Sequence, residues 1–122
     1  METLIRHLCY KVDSIKLELK FFERFDSPVV FHEFKNENSQ TYGVMFRLTN
    51  GLDIELFITS AARNYDDVHF AFAVEDLDRV WNNLKCDYPT SDIFTGKTDL
   101  VRQFHVRSPA GFGFEFHHIK NE

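Results

Sequence analysis

Apolar and polar residues change rhythm along this chain, and the changes come in the same order twice. From Ile5 to Val12, Leu8, Tyr10 and Val12 alternate with His7, Cys9 and Lys11, the period-two pattern of a half-buried strand. Ser14 follows as a candidate N-cap. Ile15, Leu19 and Phe22 fall at helical spacing, with Leu17, Phe21 and Phe25 widening the apolar face, so a helix is predicted through about Phe25. Three strand-like runs come next, Val29 to Phe34, Tyr42 to Leu48 and Leu52 to Ile58, the last two joined through the hairpin dipeptide Asn50-Gly51. The rhythm then starts again. Val68 to Val74 reads as a strand, and Leu77, Val80, Trp81 and Leu84 form the stripe of an amphipathic helix. Weaker strand signals near Ile93, from Val101 to Val106 and from Phe112 to Ile119 close the second round, the last entered through the turn Ser108-Pro109-Ala110-Gly111.

Particular residues repeat along with the pattern. His7 to Asp13 and His69 to Glu75 both read His, four residues, Val, acid, at an offset of 62 residues. Gly51 to Leu56 and Gly111 to Phe116 share the form Gly-x-x-apolar-Glu-apolar at an offset of 60. Two motifs recurring in order at nearly one period indicate two copies of a strand, helix, strand, strand, strand unit. The expected fold class is therefore α+β: one domain of two paired βαβββ modules, about 1–60 and 61–122, forming a curved sheet around a central cleft, with polar residues 61–67 as the link.

Strand parity then assigns faces. Val68, Phe70, Phe72 and Val74 share one face, and His69, Ala71 and Ala73 the other; Phe112, Phe114 and Phe116 oppose Gly113, Glu115 and His117. In the first copy Ile54, Leu56 and Ile58 alternate with Asp53, Glu55 and Phe57. Each sheet thus turns a bulky apolar face to its helix and leaves His and Glu on the other with little bulk around them. If the two inner faces enclose one site, it gathers His7, Glu55, His69 and Glu115. Two imidazoles and two carboxylates suit one divalent nickel, zinc, manganese, iron or cobalt ion, which would also compensate carboxylates withdrawn from water.

Composition narrows the partners. The 122 residues, 43% hydrophobic and 27% charged, make an ordinary globular chain, and a formal charge of −5 argues against a phosphate-tracking surface and hence against nucleic acid. No apolar run reads as a signal peptide or a membrane span, and two cysteines, Cys9 and Cys86, make no disulfide framework, so a cytoplasmic home is expected. The fourteen phenylalanines fill a core or line an aromatic cavity.

These residues resemble the vicinal oxygen chelate superfamily, which includes glyoxalase I, methylmalonyl-CoA epimerase, fosfomycin and bleomycin resistance proteins and extradiol dioxygenases. The resemblance runs through His7, Ile54-Glu55-Leu56-Phe57, the segment from His69 to Asp78, and Ser108-Pro109-Ala110-Gly111 leading to Phe114-Glu115-Phe116. It implies paired βαβββ modules with metal ligands at His7, Glu55, His69 and Glu115. It does not extend to glutathione recognition, because Lys11 and Thr59 stand where glutathione-using glyoxalases carry an arginine and an asparagine.

The expected function is a metal-dependent lyase or isomerase of glyoxalase type, acting on a small carbonyl substrate or thiol adduct through a metal-stabilised enediolate. Glu115, or else Glu55, is the candidate base. The alternative is a ligand-sequestering protein like those of bleomycin resistance, in which the aromatic residues hold a small molecule without chemistry. Lys97, Arg102, His105 and His117 are candidates for anchoring an anionic substrate near the cleft mouth, and Cys9 reads as a buried, inert thiol. Superfamily members often complete their sites between chains, and each sheet has edges that need covering, so a homodimer is expected.

Overall fold

A computed structural model of the chain describes residues 3–66, 68–97 and 100–119, so Asp67 of the predicted link lies outside the described residues. The chain divides into two compact units, Met1–Ala61 and Ala62–Glu122. Each is built as strand, helix and three strands, and the α+β class of two βαβββ modules stands.

Unit 1 runs β1 (His7–Val12), α1 (Ile15–Phe22), β2 (Val29–Lys35), β3 (Thr41–Arg47) and β4 (Asp53–Ile58). Its sheet has the order β1-β4-β3-β2, with β1 parallel to β4 and the other pairs antiparallel. Ser14 caps α1 as predicted, its side chain accepting from the Leu17 amide at 3.2 Å. The helix stops at Phe22 rather than Phe25. Amides of Arg24 and Phe25 reach back only three residues, to the carbonyls of Phe21 and Phe22, and Pro28 lies just ahead. The Phe25 ring nevertheless stays 5.5 Å from the rings of both Phe21 and Phe22, which explains why the apolar spacing outlasts the helix.

The core of unit 1 lies between α1 and the sheet. Tyr10, Val12, Phe46, Ile54 and Leu56 are buried with Phe21 and Phe22, and the Phe22 and Phe46 rings meet edge-on at 5.1 Å. Glu18 is buried too, and the Tyr10 hydroxyl donates to its carboxylate at 2.6 Å. The edge strand β2 carries register shifts between Val30 and His32 and between Phe34 and Lys35, and leaves Val29, Val30 and Phe31 exposed.

Arg47 and Asp53 are register partners on the face away from α1, and the guanidinium donates to both carboxylate oxygens, at 2.8 and 3.2 Å. Those bonds hold the Asp53 carboxyl below the usual carboxylate range, against the opposing effect of desolvation. A carboxyl depressed by folding stabilises the native state above its unfolded pKa of about 4, and that stabilisation is lost as pH falls through the lower native value. Asp53→Asn should therefore be less stable than wild type at pH 6 to 7, and the gap should close below roughly pH 4. Thermal melts across that range check this, and a gap independent of pH would exclude the ion pair as its source.

Unit 2 repeats the plan as β5 (His69–Val74), α2 (Leu77–Leu84), β6 (Phe94–Thr95), β7 (Arg102–Arg107) and β8 (Gly113–His118), with sheet order β5-β8-β7-β6 and β5 parallel to β8. Asp76 caps α2 by accepting from the Arg79 amide at 3.1 Å. Leu77, Val80 and Leu84 are buried with Phe104, Val106, Phe114 and Phe116. Phe116 stacks on Phe104 at 5.2 Å and on Phe72 at 5.6 Å. The strand expected near Ile93 shrinks to two residues, because the chain before it is held in other ways. The Ser91 amide bonds the His105 carbonyl at 2.8 Å, and the Trp81 indole donates to the Ser91 carbonyl at 2.9 Å.

The turns into β4 and β8 share one construction. Gly51 and Gly111, at φ +92° and +85°, each donate to the carbonyl three residues back, Leu48 or Ser108, at 3.0 and 2.8 Å. No helix among the described residues is long and apolar enough to cross a membrane.

Candidate functional site

In unit 2, β8 lies between β5 and β7, so Glu115 at its middle has a neighbour on each side. The register sets Ala71 and His105 opposite Glu115, Gly113 between His69 and Arg107, and His117 between Ala73 and Gln103. All of these lie on the face away from α2, the parity read from the sequence. Gly113 makes room for His69: a Cβ there would sit 2.8 Å from the Val68 carbonyl oxygen and 3.3 Å from the His69 Cβ.

Three imidazoles surround the Glu115 carboxylate. His69 Nε2 lies 3.3 Å and His105 Nε2 3.2 Å from the same oxygen, Oε1, while His117 Nε2 lies 2.9 Å from Oε2. The Glu115 side chain is only 14% exposed, against 55% for His69, 49% for His105 and 26% for His117. A nearly buried carboxylate is thus fringed by half-exposed rings. Phe94 of β6 leans on the His105 ring with centroids 5.4 Å apart. Beside the cluster lies a cavity of about 250 Å³ lined by His69, His105, Ser91, Arg107, Gly113 and Asp66. Arg107 is committed to the frame, donating to the backbone carbonyls of Tyr65, Asp66 and Gly111 at 3.3, 3.2 and 2.8 Å.

Neighbouring ligands of an ion held at 2.0–2.2 Å stand roughly 3.0–3.5 Å apart. The separations of His69 and of His105 from Oε1 lie in that range, and imidazole with carboxylate is a donor set for a borderline divalent cation. Pairs of donors are therefore in place. Among the described residues no group of three or more His, Cys, Asp or Glu is arranged as it stands to hold an ion.

The four residues expected from the sequence divide between the units, His7 and Glu55 in unit 1 and His69 and Glu115 in unit 2. The structure brings His69 and Glu115 together. His7 and Glu55 share a face, but His7 is in register with Asp53 and Glu55 with Cys9, and no hydrogen bond or ion pair joins His7 to Glu55 among the described residues. The matching positions explain the difference. Where unit 2 has Ala71, Gly113, His105 and His117, unit 1 has Cys9, Asp53, Met45 and Phe57. Asp53 is taken by Arg47, and Lys11 lies over the Phe57 ring at 5.7 Å.

Cys9 corrects the expectation of a buried thiol: the residue is exposed. Partial desolvation first, then the Glu55 charge and a hydrogen bond to Glu55, push its thiol up, which disfavours the thiolate a soft metal needs. Arg102 is likewise absent from the cluster, since its guanidinium donates to Asp78 of α2 at 3.2 and 3.4 Å. His105 and His117, expected at a mouth, sit instead against Glu115. The alternation of Gln103, His105 and Arg107 with buried Phe104 and Val106 was the signal for His105, and the parity of His117 with Glu115 the signal for His117.

No protein-family model and no curated protein matches the sequence. Solved structures do match. A mutant of the genomically encoded fosfomycin resistance protein FosX from Listeria monocytogenes, complexed with manganese(II) and 1S,2S-dihydroxypropylphosphonic acid, aligns with a TM-score of 0.79 at 14% identity, over 96% of this chain and 93% of that one. A glyoxalase family protein from Enterococcus faecalis aligns with a TM-score of 0.74 at 17% identity, over 93% of this chain and 96% of that one. The FosX protein of Mesorhizobium loti aligns with a TM-score of 0.74 at 14% identity, over 98% and 94%. With the two βαβββ units, these likenesses show that the chain has the fold of the vicinal oxygen chelate superfamily.

Proposed function

We propose that this chain is a metal-dependent enzyme of the lyase or isomerase type, acting on a small carbonyl compound or its thiol adduct. The observation that carries this reading is the Glu115 carboxylate, nearly buried, with two imidazole nitrogens within 3.3 Å of one oxygen. The FosX structure with manganese(II) and a dihydroxypropylphosphonic acid adds support, since there the same fold accompanies a divalent ion and a small oxygen-rich molecule. His7, Glu55, His69 and Glu115 are the candidate ligands, for nickel, zinc, manganese, iron or cobalt.

A divalent ion bound by these side chains would supply Lewis-acid polarisation of a substrate carbonyl oxygen. The chain's own part is proton transfer. Glu115, or Glu55 in its place, takes a proton from the carbon next to the carbonyl and returns it to the carbonyl carbon, while the hydroxyl proton of the first carbon passes to the former carbonyl oxygen, so the product is an isomer of the substrate. The cavity of about 250 Å³ beside His69 and His105 has room for a small substrate. The sequestering alternative would draw on rings outside the cores, such as Phe34, Tyr42 and Phe57, which pack within 5.1–6.1 Å of one another, since Phe21, Phe22, Phe46, Phe104, Phe114 and Phe116 are fully buried.

The test is elemental analysis of the purified protein, followed by a screen of 2-oxoaldehyde thiol adducts and epimerisable acyl thioesters with nickel, zinc, manganese or cobalt added. Turnover that requires the ion is the expected result. A folded protein that gains no ion at neutral pH would favour sequestration instead.

A further inference from the structure

We propose that His105 is a protein ligand of the ion bound at His69 and Glu115, and that His117 is the positioning residue that turns the carboxylate toward it. This rests on the reading above that an ion binds at His69 and Glu115. It assigns unit 2 a two-histidine, one-carboxylate set of its own.

The strand order creates the arrangement. Because β8 separates β5 from β7, His69 and His105 approach Glu115 from opposite sides, yet both reach the same oxygen, at 3.3 and 3.2 Å. His117, two residues along β8, takes the other oxygen at 2.9 Å. The carboxylate is thereby held to offer Oε1 alone, the outer-shell role that hydrogen-bonding partners of metal ligands commonly fill. Glu115 and the backbone of His105 are held in place, while the His69 and His105 rings face solvent. The His105 amide donates to Ser91 Oγ at 2.9 Å and its carbonyl accepts from the Ser91 amide at 2.8 Å, but the His69 and His105 side chains remain about half exposed. Both rings are therefore open to an incoming ion on the solvent side.

Unit 1 supplies an internal control. Its sheet has the same order and register, and carries Met45 and Phe57 where unit 2 carries His105 and His117. The frame accepts apolar side chains at both places, so the histidines are not demanded by the fold. What unit 2 gains from them is nitrogen donors around one carboxylate oxygen pair.

Cobalt(II) titration of the full chain, read by its visible absorption and by competition with a chelator, tests this with wild type, His105→Ala, His105→Gln, His117→Phe and His117→Gln. Circular dichroism confirms folding of each. Both His105 variants should lose roughly 10²-fold or more in cobalt affinity and change the absorption spectrum, because a ligand is lost. His117→Phe should lose about 10–100-fold with the spectrum little altered, and His117→Gln, which keeps a donor, should recover part of that loss. Wild type that binds cobalt while both His105 variants bind it equally well, with the same spectrum, overturns the inference and leaves the proposed function standing. Folded wild type that binds no cobalt overturns the proposed function and this inference together.

Discussion

Glu115→Gln should lower turnover of the substrate found in the screen by about 10²–10⁴-fold, with the fold intact. The replacement has the same shape and sits in mid-strand, so the sheet and its neighbours have no reason to move. What disappears is the negative charge and the ability to take a proton. A glutamine also has only one carbonyl oxygen, so the second position, which faces His117 at 2.9 Å in the carboxylate, becomes an amide nitrogen that donates instead of accepting. Steady-state kinetics at saturating metal, with circular dichroism alongside, measures this. A rate within a few-fold of wild type would remove Glu115 from both the proton-transfer and ligand roles and turn attention to Glu55.

Phe116→Ala should cost about 3–5 kcal/mol of stability, a fall in Tm of roughly 10–20 °C for a domain of this size. The side chain is fully buried, and its ring lies against those of Phe72 and Phe104 at 5.6 and 5.2 Å, so truncation leaves a cavity whose walls are other rings. Phe116 also separates Glu115 from His117 on β8, so loosening its anchorage should weaken cobalt binding even under conditions where the variant stays folded. Thermal denaturation checks the first effect and the cobalt titration the second. A loss below 1 kcal/mol would mean that the core of unit 2 closes over the gap.

The faces of the strands are legible in the amino-acid sequence because alternation has a period of two. The burial of Phe112, Phe114 and Phe116, with Glu115 and His117 opposite, follows from counting. The cap of α1 is equally readable, since Ser14 stands just before an apolar helical stripe and accepts from an amide three residues on. The end of α1 is not, because Phe25 keeps helical spacing and its packing after the backbone has left the helix. Pairing is also hidden. That His105 faces Glu115 depends on the register between β7 and β8, which is set in space by the turn at Gly111 and by the bonds of Ser91. The same reason explains why His7 and Glu55 look equivalent to His69 and Glu115 along the chain. The four share spacing, but the residues beside them across the sheet differ, and those neighbours decide whether a histidine can lean onto a glutamate.

The duplicated sheets carry a consequence for how such a protein can diverge. In unit 2 the fully buried phenylalanines share one strand parity, while Glu115, His69 and His105 occupy the other. In unit 1 that second parity tolerates a cysteine, a lysine, a methionine and a phenylalanine on an equivalent scaffold. Selection can therefore rewrite the reactive alphabet of one half while the other keeps its letters, and neither change disturbs the side chains that hold each half together.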